Sequence, residues 1–410
     1  MSKDGLETNP YKGVRDFYPE NEQFQKWLFG KWRETAERFG YVEYNASVFE
    51  PADLYKAKTS EEIINEQTYT FTDRGERDVT LRPEMTPTLA RMVAARRRDL
   101  GFPLRWYSIP NLFRYETPQR GRLREHWQLN ADIFGLSGIE AEIEVIALAY
   151  AVLLSLGAKE SDFEIRINDR RGKMAGLRER KLSPEEEGQV FRLLDKKDKM
   201  PLEDWREETR KILGEAYEIE MQKSDAVVKI LEVLSKSGIG NTRFEPTLVR
   251  GFDYYTGIVF EIFDTKEENR RSLAGGGRYD NLLSLFGEED VPAVGFGMGD
   301  VTIRDFLESR GLIPAYVSET RCAILTIEEQ NTEAARKLAS DLRAAGINTS
   351  IDPTDRKIGD KIKAAEKNKV PFIIVVGDEE ENSGIYKTKR LSDGEEFTGD
   401  SEKLSKNLKE

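Results

Sequence analysis

Leu248-Val-Arg-Gly-Phe-Asp-Tyr-Tyr-Thr-Gly-Ile-Val-Phe-Glu261 is the stretch on which the reading of this 410-residue chain turns. Gly251 beside Arg250 leaves the backbone open to close approach by a ligand. Asp253 can hold a loop or orient a cation, and Tyr254-Tyr255 presents two flat faces with hydroxyl tips. The run Ile258, Val259, Phe260 and Ile262 predicts a buried strand. On these residues alone, a strand entered through a tight glycine turn accounts for the pattern as well as a ligand site does.

Working outward, composition narrows the chemistry. Charged residues make up 34% of the chain and hydrophobic ones 38%, which suits a soluble globular protein of two or three domains. A net charge of −12 argues against a chain coated in nucleic acid and leaves room for local basic patches. The longest mostly apolar run, Val145 to Leu156, is too short to span a bilayer and predicts a buried helix. Met-Ser-Lys-Asp-Gly-Leu-Glu at the N-terminus does not look like a signal peptide, so a cytoplasmic location without membrane attachment is expected. Cys322 is the only cysteine and His126 the only histidine. An internal disulfide, a thiolate metal cluster and a His-His metal site are therefore excluded within one chain. There is no Walker-A pattern, and Gly295-Phe-Gly297-Met-Gly299 lacks dinucleotide-fingerprint spacing. Arginines, carboxylates and backbone are left to do the chemistry.

Several segments gather such groups. Phe24, Trp27, Leu28, Trp32, Ala36 and Phe39 repeat with helical spacing and Gly40 marks a stop, after which Tyr41 to Phe49 reads as a strand. Tyr69–Leu81 predicts a hairpin turning at Gly75, delivering Arg82-Pro-Glu84-Met-Thr86. On this segment alone Glu84 and Thr86 read first as a helix start, and second as acceptors for an ammonium. Phe113–Glu116 predicts a strand with Arg114 and Glu116 on one face, followed by the turn Thr117–Arg122 and a return from Arg124. On that return Gln128, Asn130 and Asp132 point one way while Leu129, Ala131 and Ile133 point the other. Such alternation is also the ordinary look of a half-buried sheet. Gly275-Gly-Gly-Arg278 lets backbone approach a ligand, with Arg278 available to phosphate or carboxylate, although a bulge or turn is the commoner meaning. Residues 170–240 shift to charged helical sequence with acids and bases interleaved, including Ser183-Pro-Glu-Glu-Glu and Leu194–Met200. Beyond a linker at Pro314–Thr320 an alternating β/α pattern begins, with Arg356, Lys357, Lys361, Lys363, Lys367 and Lys369 on or beside one helix.

The Leu248–Glu261 stretch closely resembles a signature of histidyl-tRNA synthetases, and the segment Trp106–Gly135 resembles motif two of the class II aminoacyl-tRNA synthetases to which that family belongs. The resemblance implies an α+β fold with an antiparallel catalytic sheet at 1–169 and 241–315. It further implies a helical insertion at 170–240 and a C-terminal α/β anticodon-binding domain at 321–410. The implied reaction joins L-histidine to tRNA(His) through a histidyl-adenylate, with ATP and Mg2+, in a homodimer. By resemblance Arg250 and Arg114 are catalytic and flank the α-phosphorus. Glu84, Thr86, Gln128, Asp132, Tyr254 and Tyr255, with the same two arginines, would hold histidine. Arg114, Glu116, Arg122, Gly297 and Gly299 would meet ATP, and His126 would either stack on the adenine or serve structure. Gln119 and Arg120 in the turn, and Lys357 and Lys361 in the last domain, would meet tRNA. No residue is assigned to the metal.

The sequence departs from the family pattern twice. Ser47 stands where the first class motif has proline, with Pro51 four residues on. Asp300-Val-Thr302-Ile303 follows the glycine-rich segment without the arginine that class II enzymes usually carry there, and Arg304 is out of register. That second departure keeps an alternative open, a non-catalytic histidine-sensing regulatory subunit of an ATP phosphoribosyltransferase. A class II synthetase for another amino acid is disfavoured by Tyr254-Tyr255.

Overall fold

The computed structural model describes residues 7–56, 67–171, 182–183, 186, 189–190, 193, 200–214, 223–248, 254–266 and 271–409. Arg250, Gly251 and Asp253 lie outside the described residues, as do most of Ser183–Glu187 and Leu194–Met200. The chain divides into two compact units, Met1–Ile313 and Pro314–Glu410.

The first unit is built on a nine-stranded sheet. Its strands are β1 (Val42–Glu43), β5 (Leu104–Ser108), β6 (Asn111–Phe113), β7 (Glu125–Phe134), β8 (Phe163–Asp169) and β9 (Thr242–Phe244), then β10 (Ile258–Asp264), β11 (Ser272–Arg278) and β12 (Ala293–Gly299). The spatial order is β1-β5-β7-β12-β11-β10-β8-β9, with β6 beside β7. Pairing is antiparallel except at the two edges, β1 with β5 and β8 with β9. A smaller sheet, β2 (Phe49–Pro51), β4 (Asp78–Leu81) and β3 (Tyr69–Thr72), leads the chain into the site.

One face of the large sheet is dry. The helix Glu140–Ser155 buries Val145, Ile146, Leu148, Ala149, Val152 and Leu153 in the same core as Leu129, Ala131 and Ile133 of β7. The helix Pro19–Arg38 adds Leu28, Trp32 and Ala36, with proline at its start and Glu20 and Glu22 in its first turn, where the helix dipole favours them. No helix among the described residues is long and apolar enough to cross a membrane.

Three expectations need revision. The strand from Tyr41 stops at Glu43 because Asn45 and Ser47 turn their side-chain oxygens onto the backbone N–H groups of Ala46 and Phe49. The strand through Glu116 stops at Phe113, where Arg114 N–H still bonds Arg124 but Tyr115 N–H turns to Gln67. The helix Asp225–Lys236, read as part of a solvated insertion, buries Val227, Ile230 and Leu234 in the main core. A separate small cluster forms around Val190 and Trp205.

The second unit is a five-stranded sheet, β13 (Cys322–Thr326), β14 (Thr349–Asp352), β15 (Phe372–Val376), β16 (Tyr386–Arg390) and β17 (Glu396–Gly399), in the order β14-β13-β15-β16-β17. The first three strands are parallel and the last two add antiparallel. Both faces of β13 are covered, by Leu338, Ala339 and Leu342 on one side and Ala365 on the other. Cys322 is buried in this core and its thiol is pushed up to about 12 by burial.

Candidate active site

The face of the first sheet opposite the dry core carries a cleft of about 380 Å³, its open mouth included. Its floor is made of glycine for a measurable reason. In the register of β7 and β12, Asp132 lies across from Gly295, Asn130 from Gly297 and Gln128 from Gly299. A Cβ on Gly295 would collide with the Asp132 carboxylate, and one on Gly297 with the Gln128 amide. The glycines therefore give the two polar side chains the room to lie across the sheet.

Asp132 forms the deep end. It is 3% exposed, accepts a hydrogen bond from Tyr279 Oη at 2.5 Å, and its carboxyl is pushed up to about 7, chiefly by burial. Tyr254 and Tyr255 are also buried, their ring centroids 4.8 Å apart, and Tyr254 packs edge-on to Tyr279 at 5.8 Å. Tyr254 Oη donates to Glu84 Oε2 at 3.2 Å, linking the two ends of the chain segment pair at this wall. Glu84 and Thr86 reach the cleft because Arg82 is buried and anchored: its Nε donates to Asn111 O and its Nη1 to Ala46 O. Thr86 begins the helix Thr86–Ala95, so the helix-start reading and the ligand reading of this pair are compatible.

Toward the mouth, charge replaces aromatic surface. Arg114 donates through Nε to Pro83 O at 2.9 Å, and its Nη1 lies 4.0 Å from Glu116. Glu116 also faces Arg122 Nε at 3.3 Å. His126 lies on the same strand face as Gln128 and Asp132, six residues and roughly 20 Å from the deep end. Its imidazole is pushed down to about 3 by burial and by the adjacent Arg114 and Arg15, so it is neutral at pH 7.

The structure thus brings Glu84, Thr86, Arg114, Gln128, Asp132, Tyr254, Tyr255 and Gly297 to one cleft. Gly299, Glu116, Arg122 and His126 continue it at the mouth end by strand register and contact. Arg250 lies outside the described residues. Gly275, from the glycine run read as open to a ligand, also lines the cleft, as do Asn130 and Tyr279, to which sequence reasoning gave no role. Asn130 was detectable, since it shares the polar face of β7. Tyr279 was not, because its neighbour Asp132 is 147 residues away.

Two cations, Arg278 and Lys361, are not where the sequence suggested, and Arg304, expected out of register, is held elsewhere. Arg278 is buried in a two-pronged pair with Glu142, at 2.6 and 2.7 Å, and also donates to Leu136 O and Gly138 O. It ties β11 to the start of the long helix and is not available to a ligand. Arg304 turns to the N-terminal helix, bonding Asn21 Oδ1 at 2.9 Å and lying over Phe24. Lys361 is only 1% exposed, and its Nζ donates to Thr326 O at 2.7 Å and Asp352 O at 3.2 Å. Its expected contact with tRNA is corrected: the ammonium closes the ends of β13 and β14 from inside. Lys357, Lys363, Lys367 and Lys369 do stand exposed.

Comparison with known proteins adds the family. A sequence model described as histidyl-tRNA synthetase matches residues 13–215 and 207–301. The chain belongs to the histidyl-tRNA synthetase family. A second model, the anticodon binding domain, matches residues 321–410. Among similar proteins, the histidine–tRNA ligase of Leptospira biflexa is 38% identical over 97% of this chain and 96% of its own length. That of Thermoplasma volcanium is 35% identical over 94% of each. The crystal structure of apo Staphylococcus aureus histidyl-tRNA synthetase superimposes with a TM-score of 0.74 at 25% identity, covering 98% of this chain and all of that one. The antiparallel catalytic sheet and the C-terminal α/β unit are accordingly the fold of this family. The regulatory-subunit alternative is not favoured, because the likeness to histidine–tRNA ligases runs nearly the full length and includes the anticodon-binding segment.

Proposed function

We propose that the cleft along β7 is where this histidine–tRNA ligase activates histidine, with the amino acid at the Asp132 end and ATP at the Arg114–Arg122 end. The observation that carries this is the gradient along a single strand face. It runs from a buried carboxylate among tyrosines, through an amide, to a cluster of arginines. A dry carboxylate suits an imidazole N–H, and Glu84 with Thr86 suits the ammonium. Guanidiniums suit a polyphosphate.

In the reaction, a carboxylate oxygen of histidine attacks the α-phosphorus of MgATP and the bond to the β-phosphate oxygen breaks, releasing pyrophosphate. A hydroxyl of the 3′-terminal ribose of tRNA then attacks the carbonyl carbon, giving the ester and AMP. The first step builds charge on α-phosphate oxygens and needs fixed cations more than a titrating base. Arg114, held by Pro83 O, is positioned for that, and Arg250 is the second candidate from its place in the sequence. Neutral His126 presents a flat ring to the adenine without adding charge.

Gln119 and Arg120, exposed in the turn before β7, and Lys357 in the second unit are the tRNA contacts we infer. A cytoplasmic homodimer is the expected assembly. The exposed aromatic pair Phe49 and Phe71, whose rings meet edge-on at 6.0 Å, is apolar surface that a subunit contact would cover. ATP–pyrophosphate exchange measured with each of the twenty amino acids tests the reading. Exchange with histidine alone is expected, and none with histidine would overturn it.

A further inference from the structure

The mouth of the cleft gathers arginines. Glu116 lies 4.0 Å from Arg114 and 3.3 Å from Arg122, and Asp305 lies 3.7 Å from Arg120. A fourth cation joins them. Arg271, immediately before β11, packs on the turn between Gln119 and Arg122: a Cβ built on Gly121 would lie 2.5 Å from Arg271 Cδ and 3.1 Å from its Nε. Gly121 is held at φ +75°, where glycine is favoured, and the absence of a side chain there admits the arginine.

Arg271 is half-buried, and among the described residues no carboxylate lies within ion-pairing distance of it. The charges it feels are Arg122, Glu116 and Asp305. Burial and the like charge of Arg122 both lower its pKa from the usual value, so the fold holds two guanidiniums together at a cost. Among the described residues Arg271 thus has no ion pair of its own, a charge that an incoming polyanion would neutralise.

The register says which end of the cleft this is. β11 runs antiparallel to β12 with Gly275 opposite Gly297 and Ala274 opposite Met298, which carries Arg271 past Gly299 to the first turn of the helix Asp300–Glu308. Gly299 in turn faces Gln128, so Arg271 stands at the mouth, far from Asp132. Thr302, in the segment Asp300–Ile303 that lacks the class arginine, reaches the same spot with only a methyl, 3.6 Å from the Cβ built on Gly121, while its hydroxyl donates to Gly299 O.

We propose that Arg271 binds the terminal phosphate of ATP together with Arg122, supplying from β11 the cation that Thr302 does not. The proposal rests on ATP lying at this end of the cleft, and the test separates the two. Arg271→Ala should lower kcat/KM for ATP in pyrophosphate exchange by about 10²–10³. The KM for histidine and the Kd for AMP, which has no terminal phosphate, should stay within twofold. Arg271→Lys, which keeps the charge, should fall between. Arg122→Ala serves as the reference. If Arg122→Ala leaves kcat/KM for ATP unchanged, the placement of ATP is wrong and the proposal falls with it. If Arg122→Ala is impaired while Arg271→Ala stays within threefold of the parent, the proposal alone is overturned. Equal losses of ATP, AMP and histidine binding would also overturn it, by showing that Arg271 only supports the turn.

Discussion

Asp132→Asn separates what the deep carboxylate costs the fold from what it does for the ligand. Burial raises the carboxyl from 3.8 to about 7, against the single hydrogen bond from Tyr279 that favours the ionised form. A shift of that size corresponds to about 4 kcal/mol of folding free energy. The sign follows from proton binding. Between the two pKa values the native protein keeps a proton that the unfolded chain has lost. The stability contributed is therefore full below about pH 4 and is lost as pH rises through 7. Asn keeps the shape, can accept from Tyr279, and carries no charge. The ligand-free variant should be more stable than the parent at pH 8 by up to about 4 kcal/mol, and by under about 2 kcal/mol at pH 5. The figure is an upper bound, because the new amide N–H groups need partners of their own. Urea unfolding followed by tryptophan fluorescence at both pH values measures it. Histidine affinity should move the opposite way, falling about 10- to 100-fold in the variant. In the parent it should weaken as pH drops below 7 and the carboxyl loses its capacity to accept. A variant less stable than the parent at pH 8, or a difference independent of pH, would refute the account of a buried carboxylate kept for binding.

Other outcomes follow from the same geometry. Arg114→Ala should cut single-turnover adenylate formation by about 10²–10³, while losing the Nε bond to Pro83 O costs the fold only about 1 kcal/mol; a rate within threefold of the parent would remove it from the α-phosphate. Lys361→Ala should destabilise the second unit by about 1–3 kcal/mol, because Thr326 O and Asp352 O lose their donor, and should leave the salt dependence of tRNA affinity unchanged. Lys357→Ala should do the reverse, lowering the salt slope by about one with no loss of stability. A fragment of residues 1–320, which retains the whole first unit, should still form adenylate and charge tRNA with a raised KM; full charging efficiency would show that the second unit does not bind tRNA.

The fold was most legible where a short pattern decides it. The alternation in Glu125–Phe134 places Leu129, Ala131 and Ile133 in the core and Gln128, Asn130 and Asp132 in the cleft, because a strand's period is fixed by its backbone. Gly295 and Gly297 were legible as glycine-rich strand but not as the floor under two particular side chains, which needs the register of β12 on β7. Where side chains compete with the backbone, as at Asn45 and Ser47, strand boundaries moved.

Cations were the least legible residues, for a physical reason. What a guanidinium or ammonium can do depends on whether a carboxylate or carbonyl meets it, and those partners lie far along the chain. Arg278 meets Glu142 at a separation of 136 residues, Arg304 meets Asn21 at 283, and Lys361 meets Thr326 at 35. Arg278 is neutralised and Lys361 fully bonded within the fold, however available they looked beside a glycine run or on a basic helix, and Arg304 turns away to the N-terminal helix. Arg271 shows the converse. In sequence it is one basic residue ahead of a triple glycine. In the fold it sits against Gly121 and beside Arg122, and the two carboxylates it feels, Glu116 and Asp305, already face Arg122 and Arg120. A positive charge that the protein has left uncompensated marks where it expects a negative one from outside. By that criterion the anion site of the first unit is the mouth of the cleft, and not Arg278 beside its glycine run.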